Sequence, residues 1–582
     1  MNSFKNLELF TKQTSDHLFQ DYNPTYCLIG ELSSSALATA IALFTLEQYD
    51  SIKFKDKIAK SQLWLENSIN RDGGFGDSPE SKSNLSTSLL VFASIYTQPS
   101  SAFKSRLKKW ITNEIGDMNP QNIHDHILSF YGDDKTFSAP ILTMCCIAGI
   151  FDTHPKPWSL VPQLPFELAS LPHLLFKSLN LNVVSYALPA LIAIGICKHS
   201  QNKKSHNIFR YLSKNIVLKK LNHIQPMNGG FLEATPLTGF VSMSLIKSGF
   251  KNTNTVEKAI EFICNSMRGD GSWPIDTNLS TWVSSLAIKG SQPSQLAQHN
   301  IKSSDLKLFY LKQQLKTTHP YTMAEPGGWP WTNLPGGVPD ADDTAAAIVV
   351  LSKLNINDPE IINAAMHGFS WLKSLQNSDG GIPTFCRGWG KLPFDKSCPD
   401  ISAHVLEAID VWEKTSSTFS NLDNFKNSLI DYLISTQHND GYWLPLWFGN
   451  QYNTQQHNPV YGTAQVLAVI AKFNEINRLK PIIEKAKQWL LTQQNSDGSF
   501  GLTNLESGSI EETSLALTAL VESGLLESSH VLKGYNWLYQ FTKNGTEFKA
   551  EPIGLYFASL WYSEKKYPLC FLLRFLNQLD NS

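Results

Sequence analysis

The sequence predicts an all-α protein made of two α/α barrels, on three observations. A helical segment ending in an Asp-Gly turn recurs five times, strand-like alternation is nearly absent, and the recurrences fall in two groups. The five are WLENSINRDGGF (Trp64 to Phe75), FICNSMRGDGSW (Phe262 to Trp273), WLKSLQNSDGGI (Trp371 to Ile382), YLISTQHNDGYW (Tyr432 to Trp443) and WLLTQQNSDGSF (Trp489 to Phe500). In each, an aromatic residue opens the register, Asp follows eight positions later, and an aromatic or aliphatic residue closes three after that. Glycine permits a positive-φ turn after the helix, the Asp carboxylate can accept backbone N–H groups, and the closing side chain can pack back on the helix it leaves. Each unit leads into another helical stretch, such as Glu512 to Ser523, so the repeat is a helix pair and its motif reads as a staple between helices, not as chemistry. One group lies before about Trp282 and the other after about Pro320, which fits two rings.

Composition narrows the function classes. The 582 residues carry 49 Lys and Arg against 51 Asp and Glu, a net charge of −2 with no basic stripe, which gives no electrostatic reason to expect nucleic acid. Charged residues make up 17%, below the roughly 25% usual for soluble domains, and point to a large apolar cavity or a membrane-facing patch. Eight cysteines without a CxxC pair read as reduced core residues, not as a disulfide or zinc framework. No metal or other cofactor is expected: there is no DDxxD, and Asp133-Asp134 has no acidic partner three positions on. The start, MNSFKNLELFTKQTSDH, lacks a basic-then-apolar secretory pattern, so a cytoplasmic location is expected. The uncharged run from Ser178 to Cys197 approaches membrane-spanning length except for two Asn and Pro189, and reads better as a buried helix.

Two further segments carry a specific resemblance. Gly327 to Ala345 (GGWPWTNLPGGVPDADDTA) resembles the DxDDTA motif of squalene-hopene cyclases with its upstream Gly-Gly-Trp, and Pro399 to Ala408 (PDISAHVLEA) resembles the stretch that carries their paired histidine. The Asp-Gly repeats resemble the QW motifs of the same family, and Trp158 to Glu167 and Leu28 to Phe44 match weaker landmarks, so the resemblance covers nearly the whole chain. It implies a class II terpene cyclase fold: a β-domain segment over 1–19, an inserted γ domain over 20–285 and the remaining β domain over 286–582, with a hydrophobic cavity between the two barrels. It also implies a lipophilic polyprenoid substrate and a monotopic seat on the inner face of the cytoplasmic membrane, with Gly229 to Phe250 where the family presents its docking surface, a stretch that reads equally as a buried helix pair, and it allows a homodimer.

The chemistry fits these residues. Protonating an isolated alkene needs a strong acid shielded from water, and Asp340, Asp342 and Asp343 place three carboxyl groups within four positions. Repulsion keeps a proton in such a cluster, while a cationic imidazole stabilises the conjugate base. On its own the cluster is equally compatible with an acidic helix N-terminus. By resemblance Asp342 is the proton donor and His404 its partner. Asp400, four positions before His404, can share its helix face and orient the ring or hold a reprotonating water. Aromatic faces can stabilise a carbocation by about 0.5–2 kcal/mol each without offering a nucleophile. By family position the candidate cavity rings are Trp282, Trp331, Phe385, Trp447 and Tyr461.

The sequence departs from the family pattern in the long stretch between Trp447 and Tyr461, and near Pro552 to Pro568, where Ile553 and Leu555 replace expected phenylalanines. Tyr556, Phe557, Trp561 and Tyr562 can compensate, Tyr562 being included among the substrate-facing candidates. These changes leave room for a squalene-like triterpene or for a shorter prenylated aromatic acid. The acidic DxDD argues for an alkene over an epoxide, and the uncharged Ala36 to Ala42 argues against a diphosphate. The competing readings are a zinc-dependent protein prenyltransferase β subunit, which shares Asp-Gly-aromatic repeats, and a non-catalytic helical scaffold.

Overall fold

Two kinds of helix alternate along the chain. Ala36–Asp50 (ALATAIALFTLEQYD) buries an unbroken run from Ala38 to Leu46, so it needs neighbours on every side. Asn254–Asn265 (NTVEKAIEFICN) instead buries Val256, Ala259, Ile260 and Ile263 at helical spacing and turns its other face to water. Helices of the first kind line a barrel, and those of the second kind wrap it. The computed structural model describes residues 4–132, 135–179, 181, 183–201, 208–415, 417–501, 508–554 and 560–580.

Among the described residues the inner helices close two rings. Ala36–Asp50, Leu85–Ser94, Lys135–Ala148, Val183–Gln201 and Thr235–Lys247 pack each on the next and the last on the first. Ser280–Gly290, Ala341–Ser352, Pro399–Thr415, Pro459–Ile470, Ile510–Glu522 and Tyr567–Asp580 form the second ring in the same way. Leu7–Phe19 is an outer helix of this second ring, packed on Tyr567–Asp580, and the Tyr535 hydroxyl donates to the Lys5 carbonyl at 2.5 Å. The boundary expected at residue 285 falls inside Ser280–Gly290, which packs on Ala341–Ser352 and Tyr567–Asp580. No described helix is long and apolar enough to cross a membrane, and all eight cysteines are free.

The repeats staple these helices as their chemistry requires. Asp72, Asp270, Asp379 and Asp497 each accept the backbone N–H two residues on, at 3.0 Å. Gly380 has φ 86°, and a Cβ there would lie 2.6 Å from the Ser428 carbonyl oxygen, so both the turn and the close approach demand glycine. The closing Trp273 and Trp443 fold back and donate their indole N–H to Ile263 and Leu433 carbonyls at 2.7 and 2.8 Å. A glutamine contributes a second link. Gln437 Nε2 donates at 3.0 Å both to the Gly441 carbonyl of its own turn and to Ile482 of the following outer helix, and Gln494 does the same to Gly498 and His530 at 2.9 Å. Each such bond contributes about 0.5–1.5 kcal/mol net.

One sequence expectation falls differently. Gly229 to Phe250 is not an outward-facing docking surface: it contributes the inner helix Thr235–Lys247, where Val241, Met243 and Leu245 are fully buried, and its Leu237 and Phe240 line an internal cavity. An apolar run cannot by itself distinguish a cavity wall from a membrane face. The exposed apolar surface lies instead on the outer helix Ile208–Ile224, where Phe209 is 80% and Tyr211 78% exposed, with Leu212 and Ile216 beside them. Asp133, Asp134, Leu555, Tyr556 and Phe557 lie outside the described residues.

Candidate active site

Two short antiparallel ladders set the acid residues in place. Trp329–Pro330 pairs with Pro339–Asp340, and Ile382–Pro383 pairs with Ser397–Cys398, so the residue closing one turn is tied to the start of the next inner helix. Asp340 caps Ala341–Ser352, its carboxylate accepting the Asp343 N–H at 2.8 Å. Thr344 Oγ1 donates to the Asp340 carbonyl at 2.5 Å and accepts the Trp329 N–H at 2.9 Å, which fixes the first helical turn. Asp342 projects from that turn, and its Oδ1 pairs with Nδ1 of His404 on the adjacent inner helix Pro399–Thr415. The side chains of Asp342 and His404 are 14% and 6% exposed, leaving the carboxylate within reach of a bound molecule but largely out of water.

Burial raises all three surrounding carboxyls. Asp340 is pushed up to about 8, first by desolvation and then by the neighbouring Asp342 charge. Asp343 is raised well above the usual carboxylate range by burial and by Asp340 and Asp342, and its Oδ1 is buried without a hydrogen-bond partner. Asp400 is pushed up to about 6 by burial and by Asp342, with the Cys398 thiol donating to its Oδ1 at 2.6 Å. Asp400 therefore acts on the Asp342–His404 pair through its field, while its own hydrogen bond goes to Cys398. The Trp282 ring lies 6.2 Å from the His404 ring.

These groups open on a cavity of about 120 Å³ walled by Trp282, Trp331, Phe385, Trp447 and Tyr562, with Asp340, Asp342, Asp343 and Asp400 along one side. Tyr461 is not among the lining residues. It is 1% exposed and stands behind Phe448, ring centroids 5.0 Å apart, so the ring facing the cavity is Phe448. Phe448 and Tyr567 are lining rings that sequence reasoning missed, and the position of Phe448 directly after Trp447 was the available signal. Ile553 is buried and exchanges a backbone hydrogen bond with Tyr562 at 3.0 Å, setting that ring in the wall, whereas Trp561 donates its N–H to Asp77 at 2.7 Å. Phe385 is 4.9 Å from Tyr186, which belongs to a second, apolar cavity of about 260 Å³ in the first ring. Among the described residues, no group of three His, Cys, Asp or Glu side chains is arranged to hold a metal ion.

Comparison with known proteins agrees with this architecture. A prenyltransferase alpha-alpha toroid domain matches residues 13–122, and the squalene-hopene cyclase C-terminal domain matches residues 280–578. Enfumafungin synthase of Hormonema carpetanum is 22% identical over 94% of this chain and 46% of its own length. A probable squalene-hopene cyclase of Sinorhizobium fredii is 28% identical over 43% of this chain and 42% of its own. The chain thus spans less than half the length of these curated relatives. The ent-copalyl diphosphate synthase structure from Streptomyces platensis superposes with a TM-score of 0.59 at 15% identity, covering 98% of this chain and 99% of that one, a likeness of fold. Because the cyclase domain match takes in more than half of the sequence, including Asp342 and His404, the chain belongs to the squalene-hopene cyclase C-terminal domain family.

Proposed function

We propose that the protein is a class II terpene cyclase in which Asp342 protonates a terminal alkene of a linear polyprenoid. The observation that carries this reading is the Asp342–His404 pair at the wall of an aromatic cavity, flanked by carboxyls that burial keeps neutral. The Asp342 proton forms a C–H bond at the less substituted alkene carbon. The resulting cation draws in the next π bond, closing a ring and moving the charge along the chain. His404, donating from Nδ1 in its protonated form, stabilises the carboxylate left behind. Trp282, Trp331, Phe385 and Trp447 present ring faces to the migrating charge, each contributing about 0.5–2 kcal/mol. The barrel carrying the acid comprises 1–19 and the chain from about 280 to 582 in this reading, and 20 to about 279 forms the inserted barrel. Squalene, a geranylgeranyl or farnesyl diphosphate and a farnesylated hydroxybenzoate span the substrate classes to test. Incubation of purified protein with each, read by mass spectrometry, should give a cyclised product from one class that disappears in Asp342→Asn; a mutant retaining most of the activity would remove Asp342 as the acid.

The membrane seat is supported by Ile208–Ile224, whose exposed Phe209, Tyr211, Leu212 and Ile216 lie on a helix also carrying Arg210, Lys214, Lys219 and Lys220. Such a helix can lie in the interface of an anionic bilayer and would hold the protein on the inner face of the cytoplasmic membrane. Phe209→Ser with Leu212→Ser should abolish co-flotation with anionic vesicles, and undiminished flotation would refute this seat.

A further inference from the structure

The larger cavity holds carboxyl chemistry that the protonation step does not use. Its lining contains two carboxyls, Asp77 and Asp276, among apolar residues including Leu90, Leu237, Phe240 and Ile275. Asp77 is committed to structure: Asn84 Nδ2 donates to its Oδ1 at 2.9 Å, Thr87 donates to the same oxygen, and the Trp561 N–H donates to Oδ2 at 2.7 Å. Asp276 accepts the Thr277 N–H at 2.9 Å and lies beside Glu233, to which an antiparallel bridge between Ala234 and Asp276 ties it.

Glu233 is fully buried and only half satisfied. Its Oε1 accepts Asn228 Nδ2 and the Gly336 N–H, both at 2.7 Å, whereas Oε2 is buried with no hydrogen-bond partner. A Cβ on Gly336 would meet that Oε1 at 2.7 Å, so the close approach needs glycine there. Leu232 and Glu233 both hold φ 55°, a conformation that costs a non-glycine residue on the order of 1–2 kcal/mol. An unpaired buried carboxylate oxygen on a strained backbone is unfavourable for stability alone and points to a group that receives something. Asp276, which lines the larger cavity, also stands near the wall of the acid pocket: the buried Trp331 indole N–H lies next to it, and the Tyr562 hydroxyl is within its electrostatic reach. Both rings also wall the acid pocket.

We propose that Asp276 and Glu233 form the terminating base, taking up the proton that the last carbocation of the cyclisation loses; this rests on the cyclase reading above. In this assignment the pair begins with one proton, on Asp276, the member that burial and the adjacent Glu233 charge raise further, while burial raises Glu233 as well. A C–H bond beside the cationic carbon breaks and its electron pair becomes the new C=C bond. The proton passes to Asp276, and the proton Asp276 already held moves to Glu233 Oε2. The pair then carries two protons and returns one to water before the next turnover.

Asp276→Asn and Glu233→Gln keep the shape of each side chain and remove its basicity. With whichever of the three probe classes the wild type converts, both variants should still consume substrate in an Asp342-dependent way. The native alkene should fall by roughly a hundredfold relative to water-quenched or isomeric products. An unchanged product ratio in both variants would overturn the proposal, even if their thermal stability shifted. If the wild type converts none of the probes, the cyclase reading fails, and that failure is distinct from unchanged ratios in an active enzyme. Infrared difference spectra provide the readout independent of turnover: Asp276→Asn should lose one protonated-carboxyl band that Glu233→Gln keeps, and a band retained in Asp276→Asn would overturn the proton held on Asp276.

Discussion

Asp400 and Glu407 lie two turns apart on the same inner helix and are both buried, yet they are shifted in opposite directions. Asp400 is pushed up to about 6, by burial and then by the negative Asp342, while Glu407 is held well below the usual carboxylate range. Burial raises both. What separates them is the company each keeps: Glu407 pairs with Lys289, with Lys472 at 3.2 Å and with Arg574 at 3.5 Å, drawn from three different elements of the barrel. The acid end of Pro399–Thr415 contains carboxyls and one histidine but no lysine or arginine. One end of the barrel is thus a closed ion cluster, and the other keeps protons available in an apolar pocket. Burial sets the size of the electrostatic effect, and the neighbouring charges set its sign.

That contrast can be broken most sharply at the cationic end. Glu407→Gln would leave Lys289, Lys472 and Arg574 facing one another without their anion. Removing one partner of a buried ion cluster costs about 3–5 kcal/mol, so the melting transition should fall markedly while any product pattern set at Asp342 stays the same. Lys289 is already pushed down to about 8, chiefly by desolvation. Loss of Glu407 should lower it further, and some of the lost stability should return as pH rises from that lowered value toward 10.5, the range in which the folded lysine is neutral and the unfolded one still charged. Denaturation of the variant at two pH values would check both parts, and an unaltered melt would mean that the cluster carries little of the fold.

The same distinction separates what the sequence could disclose from what it could not. The repeat turns were legible because a helix that stops at Asp-Gly and folds an aromatic ring back on itself needs those residue types at fixed spacing, as Trp443 on Leu433 shows. The meeting of Asp342 with His404 was legible because both belong to segments with a recognisable pattern. Whether Tyr461 or Phe448 faced the cavity was not, since the answer turns on which of two rings 5.0 Å apart stands in front. Glu233 with Asp276, and Glu407 with its three cations, were equally hidden, because their members come from distant segments and no local spacing links them. The exposed face of Ile208–Ile224 escaped notice because Arg210, Ser213, Lys214 and Asn215 interrupt its apolar residues and blur any simple run.

A smaller effect sharpens the comparison at the acid end of the same helix. With a folded value near 6 against an ordinary 3.8, Asp400 stays neutral in the folded protein over a range in which the unfolded chain ionises. Its full contribution to stability is therefore present below pH 3.8, is lost progressively as pH rises toward 6, and does not change further above that. At about 1.4 kcal/mol per pH unit the loss amounts to roughly 3 kcal/mol. Asp400→Asn, which cannot ionise, should remove that slope, so wild type and variant stabilities measured by denaturant titration should diverge between pH 4 and 6 and run parallel above. If the two curves keep a constant offset from pH 4 to 6, the Asp400 carboxyl is already ionised there, and the acid pocket is more open to water than its aromatic walls imply.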